Sequence, residues 1–319
     1  MRELAKLANV SVSTVSKAFC NADDVSLETK ERVLSLAKEH GCYGKYYKGK
    51  FYKKIIALIV PEIRSKHYVA YIDCLRELIE TDDGICLISV FDFSAAKQNE
   101  LVDYYASFLK VDGIIVFGLK NSLKKGYSVP IVSIFPSIDA SVDSVSIDIS
   151  AAMRDAVLAL TERGHKKIAF ISEKLTATRA EQYKMAMASV HNADILTVVS
   201  NERFEKAGID GVNMLLEMKA EFTAIICAYD YIAFGAIKQL KNVGLSVPND
   251  ISVIGIDNVA ESEYTETSLS TIDLSPREVS QITYDVLKKK LKNPYFRTRQ
   301  SIVINAQLVL RESISNAKQ

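Results

Sequence analysis

No stretch of this 319-residue chain can cross a bilayer as a helix: its longest strongly apolar run is Ile55 to Val60, far short of the ~20 residues a span needs. Met1-Arg2-Glu3 leads directly into charged, helix-forming sequence with no apolar h-region, so a cytoplasmic protein with no membrane partner is expected. The five cysteines (Cys20, Cys42, Cys74, Cys86, Cys227) are odd in number, scattered and without a Cys-x-x-Cys pair, which excludes a disulfide scaffold. The four histidines form no pair at ligand spacing, so no metal is expected, and the thiols are read as reduced and buried or partly buried. Gly-x-Gly-x-x-Gly after a strand, Gly-x-x-x-x-Gly-Lys-Ser/Thr and Gly-x-Ser-x-Gly are all missing. No paired carboxylates accompany a candidate nucleophile. The chain therefore reads as no enzyme, with no catalytic residue and no cofactor. What remains is 48% hydrophobic residues and no polar low-complexity tract, enough for ordinary cores in about two domains.

Net charge is +1, but it is unevenly spread. Residues 1–54 hold eleven Lys/Arg against six Asp/Glu, leaving a net −4 for the rest of the chain. A basic head on a slightly acidic body suggests an arm that binds a polyanion. The first 42 residues read as three short helices. Glu3 to Ala8 sets Leu4, Leu7 and Ala8 on one face, and Asn9-Val10-Ser11 supplies a turn and a cap. Val12 to Phe19 follows, with Val15 and Phe19 inward. Ser26 caps a third helix with Val33, Leu36 and Ala37 on one face, and Gly41 ends it. Two short helices around a tight turn, braced by a third, form a helix-turn-helix unit whose second helix presents Ser11, Ser13, Thr14, Ser16 and Lys17 outward. Pattern alone leaves open an ordinary three-helix cap with a Ser-rich surface.

The run Leu4-Ala5-Lys6-Leu7-Ala8-Asn9-Val10-Ser11-Val12-Ser13-Thr14-Val15-Ser16-Lys17, continued by Val25-Ser26-x-x-Thr29-x-x-Arg32-Val33, resembles the DNA-binding head of the lactose/galactose repressor (LacI/GalR) family. The resemblance implies that Val12, Ser13 and Lys17 face base edges in the major groove and that Ser11, Thr14 and Ser16 anchor phosphates. Cys20 departs from it, standing where the family usually has Asn. Residues 45–54, with five lysines and four aromatics, take the place of the family's hinge. There Lys45 and Lys48 suit a phosphate backbone, and Phe51 falls on the position of the family's minor-groove wedge. A flexible basic tether is the other reading of this stretch, since Gly49 would weaken a helix and Gly44 replaces a usual Pro.

From Ile55 onward, β-rich and helical segments alternate, which predicts parallel sheets built from βαβ units. Ile55–Val60, Ile85–Val90 and Gly113–Val116 read as buried strands, with helices around Tyr68–Glu80 and Ala95–Lys110. Ile131–Ile134 and Val145–Ile147 follow, then a helix over Ser150–Arg163. The pattern restarts with Lys167–Ile171, Ile195–Val199, Ala224–Cys227 and Ser252–Ile256, so two lobes are expected. Doubly wound sheets bind ligands at the carboxyl ends of their strands. Asp148, Asp230 and Asp257 sit at such ends, with Arg179 and His67-Tyr68 similarly placed, and suggest a cleft for a hydroxylated small molecule. For any single strand-end Asp, a helix N-cap is the commoner role.

The LacI/GalR resemblance continues through Asp112-Gly113-Ile114-Ile115, Gly164-His165-Lys166-Lys167-Ile168-Ala169-Phe170-Ile171, Asp230-x-x-Ala233-x-Gly235-Ala236, Val247-Pro248-Asn249-Asp250-Ile251-Ser252-Val253-Ile254-Gly255-Ile256-Asp257 and Leu310-Arg311-Glu312-Ser313. It implies an α/β architecture: a small all-α helix-turn-helix head, then two doubly wound parallel lobes like those of periplasmic binding proteins, joined by three crossovers. The boundaries expected are 1–44 for the head, 45–54 for the hinge and 55–319 for the effector and dimerisation body. Its first lobe would span about 55–163 plus 275–300, and its second about 164–274 plus 301–319. By position, His67, Tyr68, Asp148 and Asp257 would contact the effector. The family's usual Arg aligns best with Gln182, for which Arg179 can substitute, and Tyr229 before Asp230 replaces a common Asn. The function so implied is a homodimeric regulator of operator DNA, a repressor by the family's habit, controlled by a sugar-like small molecule. The alternative is a small-molecule-binding protein whose head has lost DNA function.

Overall fold

The structure is a computed structural model that describes residues 1–20, 22–43, 53–124, 126–188, 195–293 and 298–318. The chain divides into two compact units, the first comprising Met1–Ile55 with Asp83–Ile85 and the second the remainder.

Among its described residues the first unit carries helices α1 (Arg2–Leu7), α2 (Val12–Phe19) and α3 (Leu27–Glu39). Each start and stop has a local cause. Asn9 takes the left-handed turn conformation with φ 50°, and the Ser11 and Ser26 hydroxyls accept from the amides of Thr14 and Thr29. Gly41, at φ +64°, follows α3. Leu4, Ala5, Ala8, Val15, Phe19, Val33 and Ala37 form the core. Leu7 is not part of it and is 53% exposed. A stripe through positions 4, 5 and 8 leaves position 7 roughly 110° off its centre at 3.6 residues per turn. The expected hinge residues Lys45, Lys48 and Phe51 lie outside the described residues.

The second unit contains two six-stranded sheets. The first runs β11-β5-β4-β3-β1-β2, from β1 (Ile55–Val60), β2 (Ile85–Val90), β3 (Gly113–Phe117), β4 (Ile131–Ile134), β5 (Asp143–Asp148) and β11 (Ser301–Asn305). The pairs β1–β3, β3–β4, β4–β5 and β5–β11 are parallel. Helix α4 (Lys66–Thr81) lays Tyr71, Ile72, Leu75 and Ile79 on the sheet beside Val279, Val286 and Leu287 of α11 (Pro276–Lys292). Between β2 and β3, α5 (Ala95–Asp103) passes into a π-helical turn over Tyr104–Leu109, which Lys110 ends at φ 53°.

The second sheet runs β12-β10-β9-β8-β6-β7, from β6 (Ile168–Glu173), β7 (Leu196–Ser200), β8 (Ala224–Cys227), β9 (Ser252–Asp257), β10 (Ser270–Asp273) and β12 (Gln307–Val309). It is parallel at β6–β7, β6–β8, β8–β9 and β9–β10, and antiparallel at β10–β12. Around it lie α6 (Ser150–Thr161), α7 (Arg179–Met187), α8 (Glu205–Glu217), α9 (Asp230–Asn242) and the short α10 (Glu261–Tyr264). Helices α8 and α9 touch backbone to backbone. A Cβ on Gly208 would sit 1.9 Å from the Ile232 carbonyl oxygen, and one on Gly235 1.8 Å from that of Glu205.

The lobe boundaries differ from those expected. Helix α6 packs into the second lobe, where Ile149, Ala152, Met153, Ala156, Val157 and Leu160 join its core. Strand β11 extends the first sheet rather than the second. The chain therefore crosses between lobes just after Asp148, between β10 and α11, and between β11 and β12. Strand β2 is no buried strand, because it closes one edge of its sheet and leaves Ile88 44% exposed. The cysteines are unpaired, and Cys20 is exposed, against the expectation of burial. Among the described residues no helix is long and apolar enough to cross a membrane, and no cluster of His, Cys, Asp or Glu could hold a metal ion.

Candidate functional site

Two surfaces carry chemistry. On the first unit, α2 buries Val15, Ala18 and Phe19 and so must turn Ser11, Val12, Ser13 and Lys17 outward, with Thr14 and Ser16 partly covered. The Ser11 hydroxyl lies 2.7 Å from that of Ser13 and 2.8 Å from that of Thr14. A cluster of mutually hydrogen-bonded hydroxyls and the positive end of the helix dipole thus meet at one helix N-terminus, an arrangement that favours anions. One turn further along, Lys17 pairs with Asp24, whose pKa it holds below the ordinary carboxylate value by hydrogen bonding. Both partners are half-exposed, so the pair is weak.

The second surface is a cavity of about 260 Å³ between the two lobes. The carboxyl ends of the parallel strands build it, together with the first turns of the helices that follow. The first lobe supplies His67 and Tyr68 from the start of α4, Phe91 and Phe93 after β2, Phe117 at the end of β3 and Phe135 after β4. His67 stacks on Phe135 at 5.7 Å, and Phe117 meets Phe135 edge-on at 6.0 Å. Tyr68 is buried deeply enough that its pKa rises to about 12. The second lobe contributes Glu173 at the end of β6, Arg179 opening α7, Arg203 and Phe204 after β7, Tyr229 after β8 and Asp257 closing β9.

Asp257 is the electrostatic centre of the cavity. Its Oδ1 lies 3.2 Å from His67 Nδ1 and accepts from both Arg179 terminal nitrogens at 3.3 Å. Burial alone would raise its pKa, but His67 and Arg179 outweigh that and hold it below the ordinary value. Arg179 also donates to the Ala228 carbonyl, which fixes its guanidinium. Asp257 has φ 113°, and Phe93, Phe135 and Phe204 also take positive φ of 59°, 71° and 57°. Such backbone is costly for non-glycine residues and collects where geometry matters more than stability.

Of the residues expected from the sequence, the fold gathers His67, Tyr68, Arg179, Tyr229 and Asp257 around the cavity. It leaves three elsewhere. Asp148 lies at a lobe crossover, where its carboxylate accepts from the Ser150 amide at 2.8 Å and its carbonyl from Ala306 at 2.9 Å. Gln182 is half-buried on α7, away from the cavity lining. Asp230 lies beneath it, accepting from Val259 N, Ser262 Oγ and Thr271 Oγ1 at 2.9, 2.7 and 2.5 Å. Asp230 thus pins the loop just beyond Asp257. Burial, reinforced by the charge of Asp257, raises its pKa to about 7.

The sequence reading missed Glu62, Arg203, Glu173 and the phenylalanines. All but Arg203, Phe93 and Phe204 lie at or one to two residues past strand ends, the same signal that singled out the aspartates.

Comparison with known proteins agrees with this geometry. Residues 1–43 match the family model for bacterial regulatory proteins, lacI family, and residues 157–314 match that for the periplasmic binding protein-like domain. The chain is 26% identical to the ribose operon repressor of Haemophilus influenzae, over 100% of this chain and 99% of the relative. It is 27% identical to the transcriptional repressor CytR of Escherichia coli, over 98% and 95%. Among solved structures, a LacI family regulator from Enterococcus faecalis with bound ribose superposes with a TM-score of 0.73 at 23% identity, covering 83% of this chain and 100% of that one. The lac repressor dimer bound to operator gives 0.75 at 19%, covering 98% of each. These structural likenesses concern the fold. A helix-turn-helix head and a two-lobed binding body define a ligand-controlled DNA-binding regulator. The chain belongs to the LacI family of transcriptional regulators.

Proposed function

We propose that the protein is a homodimeric repressor that reads a pseudo-palindromic operator and is controlled by a sugar or sugar-like metabolite in the cleft. The observation that carries the effector assignment is Asp257, held charged by Arg179 and His67 on the floor of an aromatic-walled cavity. A carboxylate accepts hydrogen bonds from adjacent hydroxyls, a guanidinium donates to ring or hydroxyl oxygens, and an aromatic face covers the C–H face of a sugar. A relative named for ribose regulation and a solved structure with bound ribose support the same class of ligand. Arg179, Asp257, His67, Tyr68 and Tyr229 are its contacts.

In the head, Val12, Ser13 and Lys17 meet base edges in the major groove, and Ser11, Thr14 and Ser16 meet phosphates. Lys45 and Lys48 add phosphate contacts from the hinge, and Phe51 is its minor-groove wedge. Two heads of a dimer then address half-sites one helical turn apart. Effector control is a difference in ligand affinity between two lobe arrangements, felt at the operator by linkage.

Selection from a random-duplex library, followed by titration of the winning site at several salt concentrations, tests this reading. A pseudo-palindrome bound with a steep salt slope is expected. Sequence-blind binding only would mean that the head no longer reads DNA and that the body acts as a small-molecule binder.

A further inference from the structure

One charged group in the cleft is not needed for the floor around Asp257. Arg203 belongs to the second lobe, yet its two terminal nitrogens donate to both oxygens of Glu62 in the first lobe, at 2.7 and 3.0 Å. Its Nε donates to Glu173 Oε1 at 3.3 Å from below. The guanidinium lies 4.6 Å from the ring centre of Phe204 and 5.8 Å from that of Phe93, one aromatic from each lobe. The side chains of Glu62 and Glu173 are 9% and 3% exposed, whereas that of Arg203 is 36% exposed. The arginine therefore stands between the cavity and solvent, anchored on two buried carboxylates. A bidentate, stacked guanidinium is the most geometrically demanding form of ion pair. No ligand is required to complete it.

We infer that Arg203 determines the size of the effector, its bridge to Glu62 clasping the two lobes across the mouth of the cleft and confining the ligand to a single ring. The inference rests on the effector reading above and deepens it. The cavity behind the clasp measures about 260 Å³, below the ~300–1,000 Å³ typical of sites for drug-sized ligands. On this reading a second ring attached to the first projects into the space the guanidinium fills. The clasp also makes closure of the cleft partly independent of the ligand. His67–Asp257 bridges the lobes deeper in the same cavity, so loss of Arg203 opens the mouth while the floor stays joined.

The test uses the full-length protein without effector, as wild type, Arg203→Ala and Glu62→Gln. Hydrogen exchange is followed on the loop at residues 61–65 of the first lobe and at residues 201–205 of the second. Exchange about tenfold faster in both loops is expected for both variants. Acceleration confined to residues 201–205 in Arg203→Ala, with residues 61–65 unchanged, would overturn the clasp, because a purely local role for Arg203 does not reach across the cleft. Glu62→Gln keeps the side-chain volume and covers the case in which Arg203→Ala folds poorly.

Thermal-shift titrations with ribose and glucose, then maltose and cellobiose, read the size limit. Wild type is expected to respond to a single-ring sugar only and Arg203→Ala to accept a two-ring one as well. Wild type responding equally to both sizes, or Arg203→Ala still refusing the larger, would overturn the size limit. If no sugar shifts either protein, the sugar assignment fails, while the exchange result alone decides the clasp.

Discussion

The two lobes meet the same cavity with different chemistry. The first offers rings: Tyr68, Phe91, Phe93, Phe117 and Phe135, with His67 stacked among them. The second offers most of the charge, Glu173, Arg179, Arg203 and Asp257 against Glu62 and Lys120 of the first, with only Phe204 and Tyr229 as rings. Aromatic walls select a flat, partly apolar face and set the width of the site, but tolerate rotation in the plane. Charged groups at fixed positions select the direction of each hydroxyl. Neither lobe alone makes a binding site, so affinity depends on closure, and closure is the variable a regulator has to report. Among the described residues, the contacts of His67 with Asp257 and of Arg203 with Glu62 and Phe93 cross the gap within the cavity, and that of Lys66 with Glu261 crosses outside its lining.

Removing one wall or one charge breaks this division of labour in distinguishable ways. The largest loss of stability is expected for Phe117→Ala, because a ring only 3% exposed is replaced by a void. Unfolding by denaturant should show a loss of about 3–5 kcal/mol, with the pH dependence of stability unchanged. Asp257→Ala should cost about 3 kcal/mol, since Arg179 and His67 lose a buried partner. Response to effector should vanish while DNA binding without effector survives. Loss of both would make Asp257 a structural residue alone.

Asp230 sharpens the contrast within one lobe. Its pKa is raised to about 7 while that of Asp257 is lowered. A raised acid binds more protons in the folded state than in the unfolded one, so its contribution is fully present below pH ~4 and is lost as pH rises to ~7. Wild type minus Asp230→Asn should therefore show stability falling from pH 4 to 7 and flat above. A difference independent of pH would contradict the assignment.

The head provides the smaller effects. Lys17→Ala should lower affinity for the selected duplex by about tenfold, or ~1.4 kcal/mol, without loss of fold, because Lys17 and Asp24 are both solvent-facing. Equal binding would remove Lys17 from the recognition surface. Ser11→Ala should cost about 1 kcal/mol of stability through its cap on the Thr14 amide.

The fold was largely legible because its strands are short runs of branched apolar residues and its helices carry their own caps, as at Ser11 and Ser26. Strands β10, β11 and β12, of four, five and three residues, were not legible. Their pairing comes from sheet neighbours far away in sequence, and β11 and β12 fall in different lobes with only Ala306 between them. The lobe of α6 was hidden for a similar reason. Its apolar stripe fits either sheet, and only the crossover at Asp148 decides. In the cleft, the charges at strand ends were visible as chemistry and the phenylalanines were not, because a Phe after a strand reads as core until the second lobe is seen to face it. Asp148 and Asp230 illustrate the converse. Both sit at strand ends, but a Ser150 amide claims one carboxylate and a three-donor cage the other.

The central claim is that occupation of this cleft changes affinity for DNA. The direct measurement is fluorescence anisotropy of the selected operator duplex, with wild type and Asp257→Ala, each titrated with single-ring sugars. The account predicts a sugar that changes the operator affinity of wild type at least fivefold and leaves Asp257→Ala at its effector-free value. A sugar that shifts both proteins equally, or a sugar that binds wild type without altering its affinity for the operator, would contradict it.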